Sequence, residues 1–414
     1  MKRIVYGTFA ILMALTSCSD DNGGSNERRD IPLSRSEEEI NDAQLDFSFR
    51  LINSMAKKNR TENWVISPFT SFVNLSILAN GANDEIRDEF VSVLGFPEGA
   101  TIETVNNYNR KLLREIPTLD RKTSLSIANS NWVSDRCTLV DGFADITNKY
   151  YEAPVTSVSF NDLLTNSANP FNQWVSNNLG MPYLMKHTLA DVFSITSSIM
   201  KFKGEWNVKF NKNNTKPADF HNYSGETVSV DMMAQTQSDG ADHYYSDEAD
   251  VLCLYFGNFS FRVYFFLPEK DINEFVEDFT AGKFKNLKYD RRTHKFNVKI
   301  PKFNVTFDAD LTPNLLQLGL EKTVNGEMKG KFSRFYKYDV VVNQETILTN
   351  SLVNFGIDED GGEIKVVTST QTGGITANPG PTEELDFTVD RPFFYLVTES
   401  STNSILAAGT VYNF

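Results

Sequence analysis

The sequence predicts an α+β protein that folds as a single unit. Apolar residues recur at helical spacing in the first half of the chain, whereas strand-like alternation dominates from Phe193 onward. No internal repeat or low-complexity tract occurs in its 414 residues. No Pro/Ser-rich or charged linker follows residue 40, so one large unit is expected rather than two or three domains.

The first predicted element is a helix of about five turns. Ser36 and Glu39 form a capping-box pattern, in which each side chain bonds the other's backbone N–H. The apolar residues that follow at helical spacing are Ile40, Phe47, Leu51 and Met55. Further helices are predicted over 71–79, 85–94, 103–116, 141–150 and 170–178.

Strand patterns are clearest in two later stretches. In HKFNVKIPKFNVTF the buried positions are predicted at Phe296, Val298, Ile300 and Phe303, with a proline break between two strands. VLCLYFGNFSFRVYFFLP predicts an apolar strand pair, in which Cys253 is expected to be a buried free thiol.

The composition indicates a large core and argues against two classes of binding partner. With 40% hydrophobic residues and 32 Phe, the chain can bury a large core. Its net charge of −14 opposes binding to nucleic acid or to anionic lipid, because both would be repelled.

The N-terminus resembles a bacterial lipoprotein signal. Lys2 and Arg3 precede an apolar run of about a dozen residues, which is too short to cross a bilayer. Leu15-Thr16-Ser17-Cys18 resembles a lipobox, which implies a signal peptide over 1–17, lipidation of Cys18 and a flexible tether over 18–36. Ser19-Asp20-Asp21 resembles the acidic export signal of Bacteroidetes surface lipoproteins. We therefore expect an outer-membrane lipoprotein exposed on the cell surface. A periplasmic face, or an ordinary secretory signal with an incidental cysteine, is the alternative.

Catalytic patterns are missing from the sequence. The four histidines, His187, His221, His243 and His294, are scattered, without an HExxH motif or a Gly-x-Ser-x-Gly partner. The spacing of Cys137 and Cys253 suggests neither a metal site nor a redox pair. The sequence therefore predicts a protein that is not an enzyme, with no cofactor and no metal.

The stretch from Glu359 to Phe394 can be either loop or strand. Its first half alternates, with Gly362, Ile364, Val366, Thr368 and Thr370 on one face. Its second half contains glycines and prolines that stop a strand and leave the chain accessible as an extended peptide. Such a segment is a candidate conformational switch.

The chain after about residue 40 resembles the serpin family, whose reactive-centre loop begins with Glu-x-Gly-x-Glu, here Glu359, Gly361 and Glu363. Other motifs follow in family order and spacing: WVISPFTSF, IANSNWVSD, FKGEW, FNKNNTKPADF, VSVDMM, IPKF, LLQLGL and GTVYNF. The resemblance implies a single serpin domain over 37–414. It would contain three β-sheets, about eight or nine helices and an exposed reactive-centre loop over about 359–386.

The resemblance also implies site residues. The loop hinge comprises Glu359, Gly361, Gly362, Glu363, Ile364, Val366 and Thr368. The cleaved bond is placed at Ile375-Thr376, with Thr372 and Ala377 as alternative positions. A cluster that controls opening of the main sheet comprises Ser67, Thr70, Ser198, Ser351 and Trp206.

The function implied is suicide inhibition of an endopeptidase, which forms a covalent acyl complex with the loop. Elastase-like serine proteases or papain-like cysteine proteases are favoured, because no Arg, Lys, Phe, Tyr, Trp or Met lies between Val366 and Leu385. The protein is expected to be a monomer that contacts the membrane only through the lipid at Cys18. Two alternatives are a serpin fold that binds without inhibiting, and an unrelated surface adhesin or glycan-binding lipoprotein.

Overall fold

The computed structural model describes residues 26–238, 240–290, 293–325, 328–364 and 382–414. These residues contain ten α-helices in addition to short 3-10 turns. The helices are α1 Arg35–Lys58, α2 Pro68–Gly81, α3 Asp84–Leu94, α4 Ile102–Glu115, α5 Phe143–Tyr151, α6 Pro170–Leu179, α7 Ile272–Asp278, α8 Ala281–Lys285, α9 Thr312–Leu318 and α10 Glu321–Val324.

The same residues contain nineteen strands. They are β1 Trp64–Ile66, β2 Thr123–Ser134, β3 Cys137–Leu139, β4 Val155–Val158, β5 Ser194–Glu205, β6 Lys216–His221, β7 Thr227–Ser238, β8 Ala241–Tyr245, β9 Ala249–Phe256, β10 Phe261–Pro268, β11 Lys288–Tyr289, β12 Thr293–Pro301, β13 Phe303–Asp310, β14 Tyr336–Tyr338, β15 Asn350–Ile357, β16 Gly361–Ile364, β17 Thr382–Thr388, β18 Phe393–Glu399 and β19 Ile405–Val411.

Three large sheets organise these strands, beside a two-stranded pair of β14 and β3. We call the six-stranded sheet, in the order β13-β15-β16-β5-β2-β4, the main sheet. A seven-stranded sheet has the order β1-β19-β18-β10-β9-β8-β11, and a four-stranded sheet the order β17-β12-β7-β6. The predicted α+β class is confirmed.

The core lies where the main sheet and the seven-stranded sheet meet the helices. The strand pair predicted around Cys253 is the β9–β10 hairpin, which is almost wholly buried. The four positions predicted as buried in the HKFNVKIPKFNVTF stretch are buried, and its proline ends β12. After that break the chain enters a different sheet, because β12 belongs to the four-stranded sheet and β13 to the main sheet.

Helix α1 begins before the predicted cap. Its N-cap is Ser34, and the Ser34 backbone N–H donates to Glu37 Oε2 at 2.7 Å. The predicted cap, Ser36 with Glu39, was therefore wrong by two residues. Ser34 and Ser36 each precede a glutamate by three positions, and the local pattern does not distinguish them.

Residues 26–34, which sequence reasoning assigned to a flexible tether, lie against the folded body in the structure. Asn26 Nδ2 donates to Asp120 Oδ1 at 2.8 Å, and Arg29 donates to Thr118 Oγ1 at 2.5 Å. The side chain of Ile31 is buried. We call residues 26–34 the docked segment. These contacts join residues about 90 positions apart and have no local sequence signal.

Cys137 and Cys253 are both buried and free, as predicted for Cys253. Burial raises the pKa of Cys137 to about 11 and that of Cys253 to about 12. Both side chains therefore remain unreactive thiols at neutral pH. Within the described ranges, no helix has both the length and the apolarity to cross a bilayer.

Candidate functional site

The candidate site begins at a tight turn between β15 and β16. Asp358 Oδ1 accepts hydrogen bonds from the backbone N–H of Asp360 at 2.8 Å and of Gly361 at 3.1 Å. A Cβ atom on Gly361 would lie 2.0 Å from the carbonyl oxygen of Gly204, so no larger residue fits here. The turn therefore brings the chain directly against β5.

Glu359 anchors this turn. Its side chain is almost fully buried, and Oε1 accepts a hydrogen bond from Thr215 Oγ1 at 2.7 Å. Lys302 Nζ lies 3.2 Å from Oε2. Burial disfavours the charged carboxylate, but the bonds from Thr215 and Lys302 outweigh burial and lower the pKa of Glu359. Sequence reasoning identified Glu359 but missed both partners, which come from other parts of the chain.

We expect Glu359→Gln to lower the free energy of unfolding at pH 7 by about 1–2 kcal/mol, since it removes a charged hydrogen-bond acceptor. Because folding lowers the pKa of Glu359, its charged form stabilises the fold above the unfolded pKa near 4.5, and this stabilisation disappears as pH falls through the folded pKa. Urea midpoints of wild type and variant should therefore converge under acid conditions.

Glu363→Gln is the matched control for that experiment. The Glu363 side chain is about one-third exposed and lies 3.6 Å from Lys203, so its loss should change the midpoint little. Equal destabilisation by the two substitutions would contradict the anchoring role of Glu359.

Trp206 holds the turn from the other side. Its indole Nε1 donates to the carbonyl of Asp358 at 2.7 Å, and its backbone N–H donates to the carbonyl of Asp360 at 3.1 Å. The ring stacks on Phe256 with centroids 4.6 Å apart. Trp206 is thus a buried aromatic that also bonds the hinge, whereas the four other residues of the predicted sheet-opening cluster lie elsewhere.

Trp206→Phe should destabilise the protein by about 1–2 kcal/mol more than Trp132→Phe. Both tryptophans are buried, but among the described residues Trp132 Nε1 has no hydrogen-bond partner, so its replacement breaks no bond. Urea unfolding of the two variants measures the difference. Equal losses of unfolding free energy in the two variants would mean that the hydrogen bond from the Trp206 indole to Asp358 does not stabilise the fold.

Beyond the turn, β16 is an inner strand of the main sheet. It pairs antiparallel with β15 on one side and with β5 on the other, where Ile364 is level with Phe355 and Phe202. Gly362 and Ile364 are buried, whereas Gly361 and Glu363 are half-buried. We call β16 the hinge strand. The predicted inner face of the hinge is therefore the buried face over the four residues that the structure describes.

The remaining loop residues of the prediction lie outside the described residues. These are Val366, Thr368, Thr372, Ile375, Thr376 and Ala377. The description resumes at β17, which pairs in parallel with β12 at the edge of the four-stranded sheet. The predicted loop end near residue 386 thus falls within a strand.

Below the hinge strand, a cavity of about 450 Å³ separates β5 from β15. We call this gap the slot; it lies between residues 194–201 of β5 and residues 350–354 of β15. In the described part of the chain, neither stretch pairs with a strand on the side that faces the slot. Ile364 forms part of the cavity wall at the hinge end.

Four predicted sheet-opening residues line the slot: Ser67, Thr70, Ser198 and Ser351. No hydrogen bond joins Ser198 to Ser351 among the described residues, and the buried Ser198 Oγ has no partner there. A buried hydroxyl without a hydrogen-bond partner costs free energy. A polar group that entered the slot next to Ser198 Oγ would therefore remove this cost.

Ser67 and Thr70 have a local role that sequence reasoning missed. The Ser67 side chain caps α2 by accepting from the Thr70 backbone N–H, and Thr70 Oγ1 donates to the Ser67 carbonyl. They bond each other rather than the strands above them.

The side chain of Asn74 on α2 forms a hydrogen bond with the main sheet. Its Nδ2 donates to the carbonyl of Thr196 at 2.9 Å, which holds β5 to the helix beneath the slot. A sequence signal was available, because Ser67, Ser71 and Asn74 recur at helical spacing along this helix.

Comparison with known proteins agrees with this architecture. The sequence model described as "Serpin (serine protease inhibitor)" matches residues 42–414. The chain belongs to the serpin family. Serpins are generally protease inhibitors rather than enzymes, although some members do not inhibit. No cluster of His, Cys, Asp and Glu in the described residues could hold a metal ion.

Individual serpins resemble this one at low identity over most of its length. Alpha-1-antiproteinase 2 from Equus caballus is 26% identical, over 88% of this serpin and 85% of the relative. "Probable non-inhibitory serpin-Z5" from Arabidopsis thaliana is 25% identical, over 90% and 83%. The native-state structure of a thermophilic serpin, tengpin, superposes with a TM-score of 0.75 at 21% identity, over 94% of this serpin and 97% of tengpin.

Proposed function

We propose that this serpin is a suicide-substrate inhibitor of endopeptidases, which traps the acyl-enzyme by inserting its cleaved loop into the main sheet. One observation carries the proposal. The hinge strand already occupies the first positions between β5 and β15, and the slot continues in the same direction. A strand that follows the hinge can therefore enlarge the sheet without displacing another described strand.

The register of the hinge strand specifies what insertion would pair. Because Ile364 is level with Phe202 and Phe355, an unbroken strand places Thr368 level with Ser198 and Ser351. All three side chains then face the interior, since residues four apart in a strand share a face. Thr368 would supply a hydroxyl next to the unpartnered Ser198 Oγ.

Insertion also requires a low energy barrier for the first residues that enter the sheet. Ile364 is bulkier than the small residues that inhibitory serpins carry after the hinge glutamate, but it is already buried in the sheet before any cleavage. Its size therefore adds no barrier to the later movement. Residues beyond it include β-branched Val366, Val367, Thr368 and Thr370, which favour strands.

The chemistry belongs to the protease. Its nucleophile attacks the scissile carbonyl, proposed at Ile375-Thr376, and the amine leaves while an acyl-enzyme ester or thioester forms. Insertion of residues 365–375, which follow the hinge strand, would then carry the tethered protease about 36 Å at roughly 3.3 Å per residue. Distortion of the oxyanion hole by that displacement would slow hydrolysis of the acyl bond by about a hundredfold or more.

The proposed targets are elastase-like serine proteases or papain-like cysteine proteases. Between Val366 and Leu385 the chain has no Arg, Lys, Phe, Tyr, Trp or Met to fill a trypsin-like or chymotrypsin-like pocket. Small and aliphatic residues at Thr372, Ile375 and Ala377 suit small primary pockets. Efficient inhibition of trypsin together with simple digestion by elastase would overturn this assignment.

The proposed location is the outer membrane, with Cys18 lipidated and the domain on the cell surface. Cys18→Ser should release the protein from membranes, and protease shaving of intact cells should distinguish the surface from the periplasmic face. Retention of the Cys18→Ser variant on membranes would contradict lipidation at that residue.

Incubation with an elastase, followed by a denaturing gel, tests inhibition. We expect a complex of summed mass that survives boiling, because the ester is covalent and protected. Loop cleavage with full enzyme turnover would instead support the second candidate, a serpin fold that binds without inhibiting. The similarity to a probable non-inhibitory plant serpin keeps that candidate open.

A further inference from the structure

The docked segment reaches the main sheet at the end where the hinge lies. Asn26 bonds Asp120, which is a buried carboxylate that also accepts from Thr123 Oγ1 at 2.6 Å. Thr123 is the register partner of Gly204 on β5, and Gly204 is the partner of Gly362 in the hinge strand. Two strand spacings therefore separate Thr123 from the hinge, or about 10 Å.

The contacts of the docked segment extend along its length. The backbone N–H of Arg121 donates to Asn26 Oδ1 at 2.9 Å, so Asn26 is held through both ends of its amide. Asn258, in the β9–β10 turn, donates to the carbonyl of Glu27 at 3.4 Å. Arg29 pairs with Glu115 at 3.3 Å, and the backbone N–H of Ile31 donates to Ser401 Oγ at 3.1 Å. The chain is thus attached from its first described residue.

This attachment leaves a short connection to Cys18. Eight residue steps separate Cys18 from Asn26 and span at most about 28 Å when fully extended. Along β5, Gly204 and Ser194 are ten steps apart, or about 33 Å. If the Ser194 end of the main sheet rested on a bilayer, Asn26 would therefore stand beyond the reach of a lipid on Cys18. The connection is therefore about 5 Å too short for an inverted, upright orientation.

A second feature favours the hinge end as the surface that meets lipid. Phe259 lies in the β9–β10 turn next to Asn258, with 39% of its surface exposed and φ at +72°. A left-handed conformation is unfavourable for a bulky residue, yet here it carries an aromatic ring into solvent. Arg28 and Phe259 line the same shallow depression, which Asp242 also lines, and Arg28 pairs with Asp30 at 2.8 Å. Aromatic rings flanked by long cationic side chains are typical of membrane interfaces.

From these contacts we propose that the docked segment orients the lipidated protein with the hinge end of the main sheet toward the bilayer. This orientation rests on the proposed lipidation of Cys18. The loop would then meet endopeptidases held at or close to the same membrane. Insertion would carry a trapped protease toward the Ser194 end, away from the lipid surface.

Photocrosslinking on a chemically tethered protein tests the orientation without relying on lipidation in cells. The chain from Cys18 onward retains every residue that the structure describes, and Cys137 and Cys253 are buried, so a maleimide lipid should couple at Cys18. Phosphatidylcholine vesicles that carry a headgroup photocrosslinker then mark the surface facing the bilayer. We expect peptides over 113–125 and 255–262 to be labelled at least about fivefold more than peptides over 181–191 and 340–349. Equal or reversed labelling would overturn the proposal.

A variant that weakens the contacts of the docked segment tests whether these contacts, and not the lipid alone, set the orientation. In the double variant Asn26→Ala with Arg29→Ala, Ile31 stays buried and bonded to Ser401, and release of the segment up to Ile31 lengthens the maximal connection to about 45 Å. The labelling ratio should then fall below about twofold. Arg35→Ala is the control, because Arg35 is exposed and its one side-chain partner among the described residues is Glu39 in the same helix. A ratio that stays high in the double variant would contradict the role of the docked segment.

The two proposals fail in different ways. Flotation of membranes from cells that produce wild type or Cys18→Ser decides whether Cys18 is lipidated, and formation of the boiling-resistant complex decides inhibition. Neither result changes the crosslinking pattern of the chemically tethered protein.

Discussion

Replacing Thr368 with arginine should convert the protein from an inhibitor into a substrate of the same protease. If the hinge strand continued in register on insertion, position 368 would face inward between Ser198 and Ser351. An arginine there would have to be buried without a counter-charge, which is very unfavourable. Insertion would slow while hydrolysis continues, so the yield of boiling-resistant complex should fall about tenfold or more. Densitometry of the complex and cleaved bands measures the ratio.

Ser369→Arg is the matched control, because position 369 has the opposite parity and would face solvent after insertion. The Ser369→Arg variant should keep most of the inhibitory activity, although it adds the same positive charge to the loop as Thr368→Arg does. Similar losses in both variants would contradict the register. Retention of inhibition by Thr368→Arg would contradict insertion itself.

Cleavage of the loop should raise the thermal midpoint of the wild-type protein by tens of degrees. Insertion would supply a strand partner for residues 194–201 of β5 and 350–354 of β15, and would fill a cavity of about 450 Å³. At about 24 cal/mol per Å³, closing the cavity alone is worth at most about 11 kcal/mol. The new backbone hydrogen bonds add about 1 kcal/mol each.

Differential scanning calorimetry at one fixed scan rate measures this gain, since the unfolding of such a protein is governed by rates. Cleaved Thr368→Arg should show a much smaller rise than cleaved wild type. An unchanged midpoint after complete cleavage of the wild type would mean that the severed end stays outside the main sheet. The protein would then be a serpin fold that does not inhibit by insertion.

Comparison of prediction with structure separates local from long-range information. The helices predicted over 71–79 and 85–94 lie within α2 and α3, because their apolar periodicity and their caps are both local. Helix α1 was found but its cap was misplaced, since Ser34 and Ser36 offer the same pattern. Four short helices, α7 to α10, were missed, because none exceeds seven residues and such short segments carry little periodicity.

The sequence by itself determined the α+β class, the family, the hinge motif and the lack of side chains suited to a trypsin-like pocket. Only the tertiary structure decided that the hinge strand lies between β5 and β15, that Glu359 is held by Thr215 and Lys302, and that residues 26–34 are docked. The reason is physical. Motifs, caps and strand alternation depend on residues a few positions apart, whereas an unpaired sheet edge, a buried ion pair and a docked segment join residues far apart in the chain.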